Sequence, residues 1–241
     1  MVPRAGEIAG GLARHFRSRW AQLSAGVNAM FRFPAACAAV PLLAMDTAAA
    51  EPAPPGPAPE APSWSWSAAA YQYWLPAEPD FLLGIATANR GGLHLEARWN
   101  YEDLRSASLW AGWNLETGEA LHLRLTPMAG VVFGRTNGLA PGLELTLSWR
   151  WLELYTEAEY VVDLGDTGAS YFYLWSELTA SPADWLALGL VGQRTRLVQT
   201  SVDVQRGFLG RVTLGGLSAT VYAFNPFTPD WFAVAALAFG M

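Results

Sequence analysis

Ionisable side chains recur two residues apart along this chain. His94, Glu96 and Arg98 form one such series, His122 with Arg124 a second, and Glu157 with Glu159 a third, which Glu153 extends; Glu144 and Arg211 stand alone in similar stretches. Carboxylates near imidazoles and guanidinium groups are material for acid–base catalysis, for metal binding, or for a charged water-filled passage. The first two uses need convergence, and the spacing opposes it. His94 and His122 fall on strands separated by another, roughly 10 Å apart at the backbone. No nucleophile stands beside either histidine, because Ser148 lies toward the opposite end of its strand. The one cysteine, Cys37, lies in a segment expected to be removed, so no thiolate remains for catalysis or metal binding. No catalytic residue, metal ligand set or cofactor is therefore assigned, and an enzyme is not expected.

The spacing itself says which elements carry these groups. A period of two means β-strands with unlike faces. In Gly92 to Tyr101 one face carries Leu93, Leu95, Ala97, Trp99 and Tyr101, and the other His94, Glu96, Arg98 and Asn100. Leu121, Leu123 and Leu125 alternate with His122, Arg124 and Thr126. Leu143, Leu145, Leu147, Trp149 and Trp151 alternate with Glu144, Thr146, Ser148 and Arg150. Strands are expected near 80–89, 92–101, 106–116, 119–128, 130–136, 141–150, 152–163, 169–179, 185–196, 206–214, 216–224 and 231–241. Such a set has about 12 members, within a range of about 10–14. The GG and GDTG stretches read as turn chemistry; no helix follows to bind a phosphate.

Alternation also suits a soluble sandwich, whose apolar face is the core. Three features favour the inverse sense, with the apolar face in lipid. Aromatics cap the apolar faces at strand ends (Trp99, Tyr101, Trp149, Trp151 and Tyr160), as interfacial girdles do. The part of the chain beyond residue 50 holds 11 of the 12 tryptophans. The final stretch places Trp231, Ala233, Ala235, Leu237, Phe239 and Met241 on one face and runs to the last residue.

An apolar alternating terminal strand with a late aromatic resembles the C-terminal recognition signal of bacterial outer-membrane β-barrels. Here the last residue is Met241 and the aromatic, Phe239, is two positions earlier. The resemblance implies an all-β, antiparallel, up-and-down transmembrane barrel over residues 80–241, delivered by the barrel-assembly machinery and surrounded by outer-membrane lipid. No motif selects one family within that class.

The N-terminal third is built for export. Residues 30–50 combine a basic start, an apolar run of about a dozen residues and an Ala48-x-Ala50 cleavage site, which is a secretory signal peptide. Residues 1–29 read as an over-extended gene start, with a long arginine-rich leader as the alternative. Residues 51–62, EPAPPGPAPEAP, form a Pro/Ala-rich tether, and 63–79 a Trp-rich periplasmic or interfacial segment, with an ordinary first strand or a lid on the barrel mouth as the alternative. All 15 basic residues are Arg, and cleavage after Ala50 leaves 10 of them against 19 acids, a net charge of −9 that argues against a nucleic-acid partner.

With the apolar faces in lipid, the interior is lined by His94, Glu96, Arg98, His122, Arg124, Glu144, Glu153, Glu157, Glu159 and Arg211. The loop assignment puts NRGG, ETGE, TNGLAP, GDTG, LVQTSVDVQ and NPFTPD outside. It sets His94, Glu96, His122, Arg124, Glu144 and Glu159 in the outer half of the interior. The function expected is a narrow porin-like channel for small polar or cationic solutes. The alternative is a closed structural barrel without transport.

Overall fold

The computed structural model describes residues 61–76, 78–197 and 203–241. The expected export signal and start region lie outside these residues, as does the tether apart from its last two positions. The described chain is all β, apart from one short 3-10 turn at Thr167–Ala169. Its strands are β1 (Trp64–Trp74), β2 (Phe81–Arg90), β3 (Leu93–Trp99), β4 (Ser106–Trp113), β5 (Leu115–Thr117), β6 (Leu121–Gly134) and β7 (Gly138–Trp149). There follow β8 (Leu152–Asp163), β9 (Tyr171–Ala183), β10 (Leu186–Leu197), β11 (Asp203–Leu214), β12 (Leu217–Phe224) and β13 (Phe232–Gly240).

Apart from β4 and β5, each strand bonds its sequence neighbours antiparallel, and β1 bonds β13 from Ser67↔Gly240 to Trp74↔Ala233. Because β4 and β5 both pair with β6, they are two parts of one wall strand. The result is a closed barrel of 12 antiparallel strands. Closure matters physically, since a wall without an edge leaves no row of unpaired backbone groups.

The break between β4 and β5 has a local cause. The β4–β6 ladder ends at Gly112↔Met128 and the β5–β6 ladder resumes at Leu115↔Leu125, so Pro127 lies in the gap. Proline has no N–H to donate to a neighbouring strand. The alternation nonetheless continues through it, with Thr126, Met128 and Val132 buried inside and Val131 and Phe133 exposed outside.

Two features depart from the sequence reading. Residues 64–74, expected to lie before the barrel, form β1 and close it; the run of Trp, Ser and Ala disguised a strand whose inward positions near its start are small. Residues 119–128 and 130–136, expected as two strands, are the single strand β6. Gly130 is a packing position within it, since a Cβ there would lie 2.4 Å from Cδ2 of the Trp110 indole. These differences offset one another, so the count of 12 stands.

Fusing the two strands reverses the ends of everything before them. NRGG and ETGE lie with the C-terminus, at an end whose turns (91–92, 118–120, 150–151, 184–185, 215–216) hold two or three residues. The opposite end carries longer connections, including 75–80, 100–105, 164–170 and 225–231. A barrel with short turns at one mouth and long loops at the other is the outer-membrane pattern.

Burial is inverted relative to a soluble protein. Leu109, Trp113, Leu139, Leu188, Phe208, Val221 and Leu237 are exposed on the outer wall, while His94, Glu96, Arg98, Glu157, Glu159 and Glu177 are buried within. An apolar outer surface of this extent is stable only against a non-aqueous surrounding.

Trp110 occupies the space that two glycines leave, since a Cβ at Gly142 would also meet its ring, at 2.8 Å. Replacing Gly130 by Val is expected to cost about 1–3 kcal/mol through overpacking. The measurement is the urea midpoint of the refolded protein in micelles. Gly210→Ala, whose Cβ meets only Leu188 at 3.7 Å, should leave that midpoint unchanged.

Candidate functional site

The interior divides into a filled half toward the long loops and a more open half toward the short turns. On one side of the filled half, strands β1, β2 and β9–β13 contribute a dry aromatic packing. Phe224 stacks on Phe232 with ring centres 4.6 Å apart, Tyr73 stacks on Phe81 at 4.4 Å, and Trp175 meets Tyr222 and Phe224 edge-on at 5.5 Å.

On the opposite side, strands β3–β8 contribute charge. Arg98 is the hub, with a side chain fully withdrawn from solvent. Its Nε donates to Glu96 Oε1 at 2.9 Å, and its Nη1 contacts Glu157 Oε1 at 2.7 Å and Glu159 Oε2 at 2.9 Å. Glu102 Oε1 is 3.8 Å from the same nitrogen. The guanidinium also lies over the rings of Tyr101 and Trp110, at 4.5 and 4.6 Å from their centres, a cation–π sandwich in a dry setting.

Hydroxyl donors complete the network. Tyr101 donates to Glu157 Oε2 at 3.0 Å, and the single Tyr155 hydroxyl proton is shared between Glu144 Oε1 at 3.0 Å and Glu157 Oε2 at 3.3 Å. Glu102 Oε1 accepts from Ser108 Oγ and from Trp110 Nε1. One guanidinium thus faces four carboxyl groups, so acidic groups outnumber basic ones in the cluster.

Toward the short turns the interior opens into two adjoining cavities of about 240 Å³ each. They share Tyr71 and Arg211; Glu153, Tyr155, Glu177 and Thr179 line one, and Ser218, Thr220 and Tyr222 the other. Arg211 Nη2 donates to Glu177 Oε2 at 2.6 Å, and Tyr222 and Trp175 donate to Glu177 Oε1 at 2.8 and 3.0 Å. Ser148 Oγ donates to Glu153 Oε2 at 3.1 Å.

The residues named from sequence therefore separate into three groups. Glu96, Arg98, Glu157 and Glu159 share one ion cluster, with His94 and Glu144 beside it. Glu153 and Arg211 line the open half. His122 and Arg124 are at the short-turn mouth, where both face Glu116 and are substantially exposed, at 3.7 and 2.7 Å. That last placement corrects their expected position in the outer half and follows from the reversed ends.

Of the aromatics, Trp99, Trp149, Trp151 and Tyr160 are exposed on the outer wall, as are Trp231, Leu237, Phe239 and Met241 of the final stretch. Tyr101 is not among them. Strand β3 stops at Trp99, Asn100 takes a positive φ of 57°, and the turned chain carries the ring of Tyr101 inward onto Arg98. Alternation cannot be counted through such a turn.

Sequence reasoning missed Glu177, Tyr155, Trp110 and Glu102. Glu177 and Tyr155 sit on the same period-two face as their charged neighbours and were legible that way. Glu102, in the loop 100–105, had no periodic signal.

The fold is a closed antiparallel β-barrel of 12 strands, the architecture of outer-membrane porins. Among solved structures, the chain is similar to the KdgM porin in complex with disordered oligogalacturonate, with a TM-score of 0.55 and 9% identity over 72% of this chain and 98% of that one. It is likewise similar to a second structure of the KdgM porin, with a TM-score of 0.52 and 9% identity over the same shares. No family model and no curated protein matches the sequence.

Removing one member of a buried ion network strands the rest. Arg98→Met should destabilise the barrel by about 3–5 kcal/mol. Adding Glu157→Gln and Glu159→Gln to it should recover part of that loss. Both are read as urea midpoints of refolded protein, with heat-dependent gel migration reporting barrel formation.

Proposed function

We propose that this chain is an outer-membrane barrel acting as a narrow porin-like channel for small polar or cationic solutes, and not as an enzyme. In this reading residues 30–50 are a cleaved export signal and 51–62 a periplasmic tether. The long connections face outward and the short turns face the periplasm. Trp99, Trp149, Trp151 and Tyr160 anchor the barrel at the lipid interfaces, and Trp231, Leu237, Phe239 and Met241 present the assembly signal.

The observation that carries the reading is the charge of the interior. Glu96, Glu102, Glu144, Glu153, Glu157, Glu159 and Glu177 are set against Arg98 and Arg211, so the field along the barrel axis attracts cations and repels anions. A barrel of about 12 strands lies between those that side chains fill and those that stay open. The Arg98 cluster is the constriction in this reading, and the cavities around Arg211 are the periplasmic vestibule. The KdgM porin occurs with oligogalacturonate, whose sugars each bear a carboxylate. An excess of lumen glutamates opposes such a polyanion here and favours neutral or positively charged solutes.

A second reading has its own support. The filling of the long-loop half, with the Arg98 side chain wholly enclosed, suits a closed barrel that serves structure or interaction.

Refolded protein in planar bilayers separates the two. The expected result is discrete conductance steps with cation preference in a KCl gradient. Glu153→Gln with Glu177→Gln should move the reversal potential toward zero. Membranes that stay silent across the accessible voltage range, despite a heat-modifiable barrel on gels, would sink the channel and leave the closed barrel.

A further inference from the structure

We infer that His94, Glu96 and Glu144 form a binding site for a divalent transition metal, with Zn²⁺ the probe of choice. Their ligand atoms all lie within 4.8 Å of one another, although they come from two strands that are not neighbours in the wall. Donors around a tetrahedral Zn²⁺ with bonds of about 2.0–2.1 Å stand about 3.3 Å apart. A rotamer adjustment of Glu144, which is only half-buried, closes that difference.

The orientation of His94 is the independent observation. Its Nδ1 is 2.8 Å from Asn89 Oδ1, which also accepts from Asn114 Nδ2 at 2.9 Å. Asn114 Oδ1 in turn accepts from Thr126 Oγ1 at 2.7 Å. This chain makes Asn89 Oδ1 an acceptor, so the proton of a neutral imidazole belongs on Nδ1. Nε2 then directs a lone pair at Glu96 Oε2, 3.4 Å away. Either a second proton on the imidazole or a metal ion joins Nε2 to Oε2, and a histidine held through its other nitrogen by an amide is the arrangement that supports a bound metal.

Charge points the same way. Arg98 is shared among Glu96, Glu157, Glu159 and, more distantly, Glu102, and Glu144 adds another carboxylate nearby. Glu102 Oε2 is buried and finds no hydrogen-bond partner among the described residues. Uncompensated buried charge costs several kcal/mol, which a dication offsets. Glu96 can ligate through Oε2 by giving up the longer bond it accepts from Arg98 Nη2, 3.3 Å, while Oε1 stays on Arg98 Nε at 2.9 Å. One imidazole with two carboxylates selects a borderline metal over Mg²⁺, which prefers oxygen ligands alone. The site requires only the barrel and not conduction, so its test is independent of the channel reading.

The experiment is calorimetric titration of the refolded, metal-stripped full chain in micelles with Zn²⁺ and, separately, Mg²⁺. One Zn²⁺ per chain is expected, with Mg²⁺ much weaker. His94→Gln and Glu144→Gln should each weaken Zn²⁺ at least about tenfold. Asn89→Ala, which keeps all three ligands, should weaken it about 10–100-fold, as loss of a supporting hydrogen bond does. Glu119→Gln, in the exposed 118–120 turn, should bind as the parent does. Heat-dependent gel migration verifies that each variant forms the barrel. Absence of stoichiometric Zn²⁺ binding, equal affinity for Mg²⁺, or parental affinity in either ligand variant overturns the site.

Discussion

A hydrogen-bonded ladder that closes on itself governs this molecule. Once β1 pairs with β13, every strand has a partner on both sides, and the outward side chains can be as apolar as lipid demands without exposing backbone polar groups. The period-two geometry then forces the remaining side chains inward. Leu, Val, Phe and Trp on the wall and Arg, Glu and His in the middle are thus two consequences of one constraint. An open sheet of the same sequence would satisfy neither solvent.

Confinement explains the interior. A guanidinium withdrawn from water is tolerable only when its donors and its faces are both occupied, and Arg98 has carboxylates around its edge with Tyr101 and Trp110 on its faces. The carboxylates in turn need more donors than one arginine offers, which is why Tyr101, Tyr155, Ser108 and Trp110 are drawn in. Across the barrel the same volume is filled by stacked rings, without charge. This division leaves the free volume on the short-turn side, around Arg211 and Glu177.

The proposed functions follow from the sign of what is left over. A surplus of glutamate in a space of low dielectric is a demand for cations. In the proposed channel, mobile cations and polar solutes meet it in the vestibule. In the proposed metal site, the amide chain that fixes the His94 imidazole makes the demand specific.

Much of this was legible in the chain alone. Alternation in stretches such as 92–101 and 121–125 determined that the protein is built of strands with one apolar and one charged face. The terminal strand indicated which face meets lipid. Those properties are local, because side-chain direction in a strand depends only on the neighbouring residues. The tertiary structure alone decided the rest. That Gly130 is space for Trp110, that 64–74 closes the wall, that Tyr101 turns inward, and that His94 meets Glu144 all depend on contacts between residues remote in sequence. Such contacts arise only when the ladder has closed and its register has set which side chains share a height in the barrel.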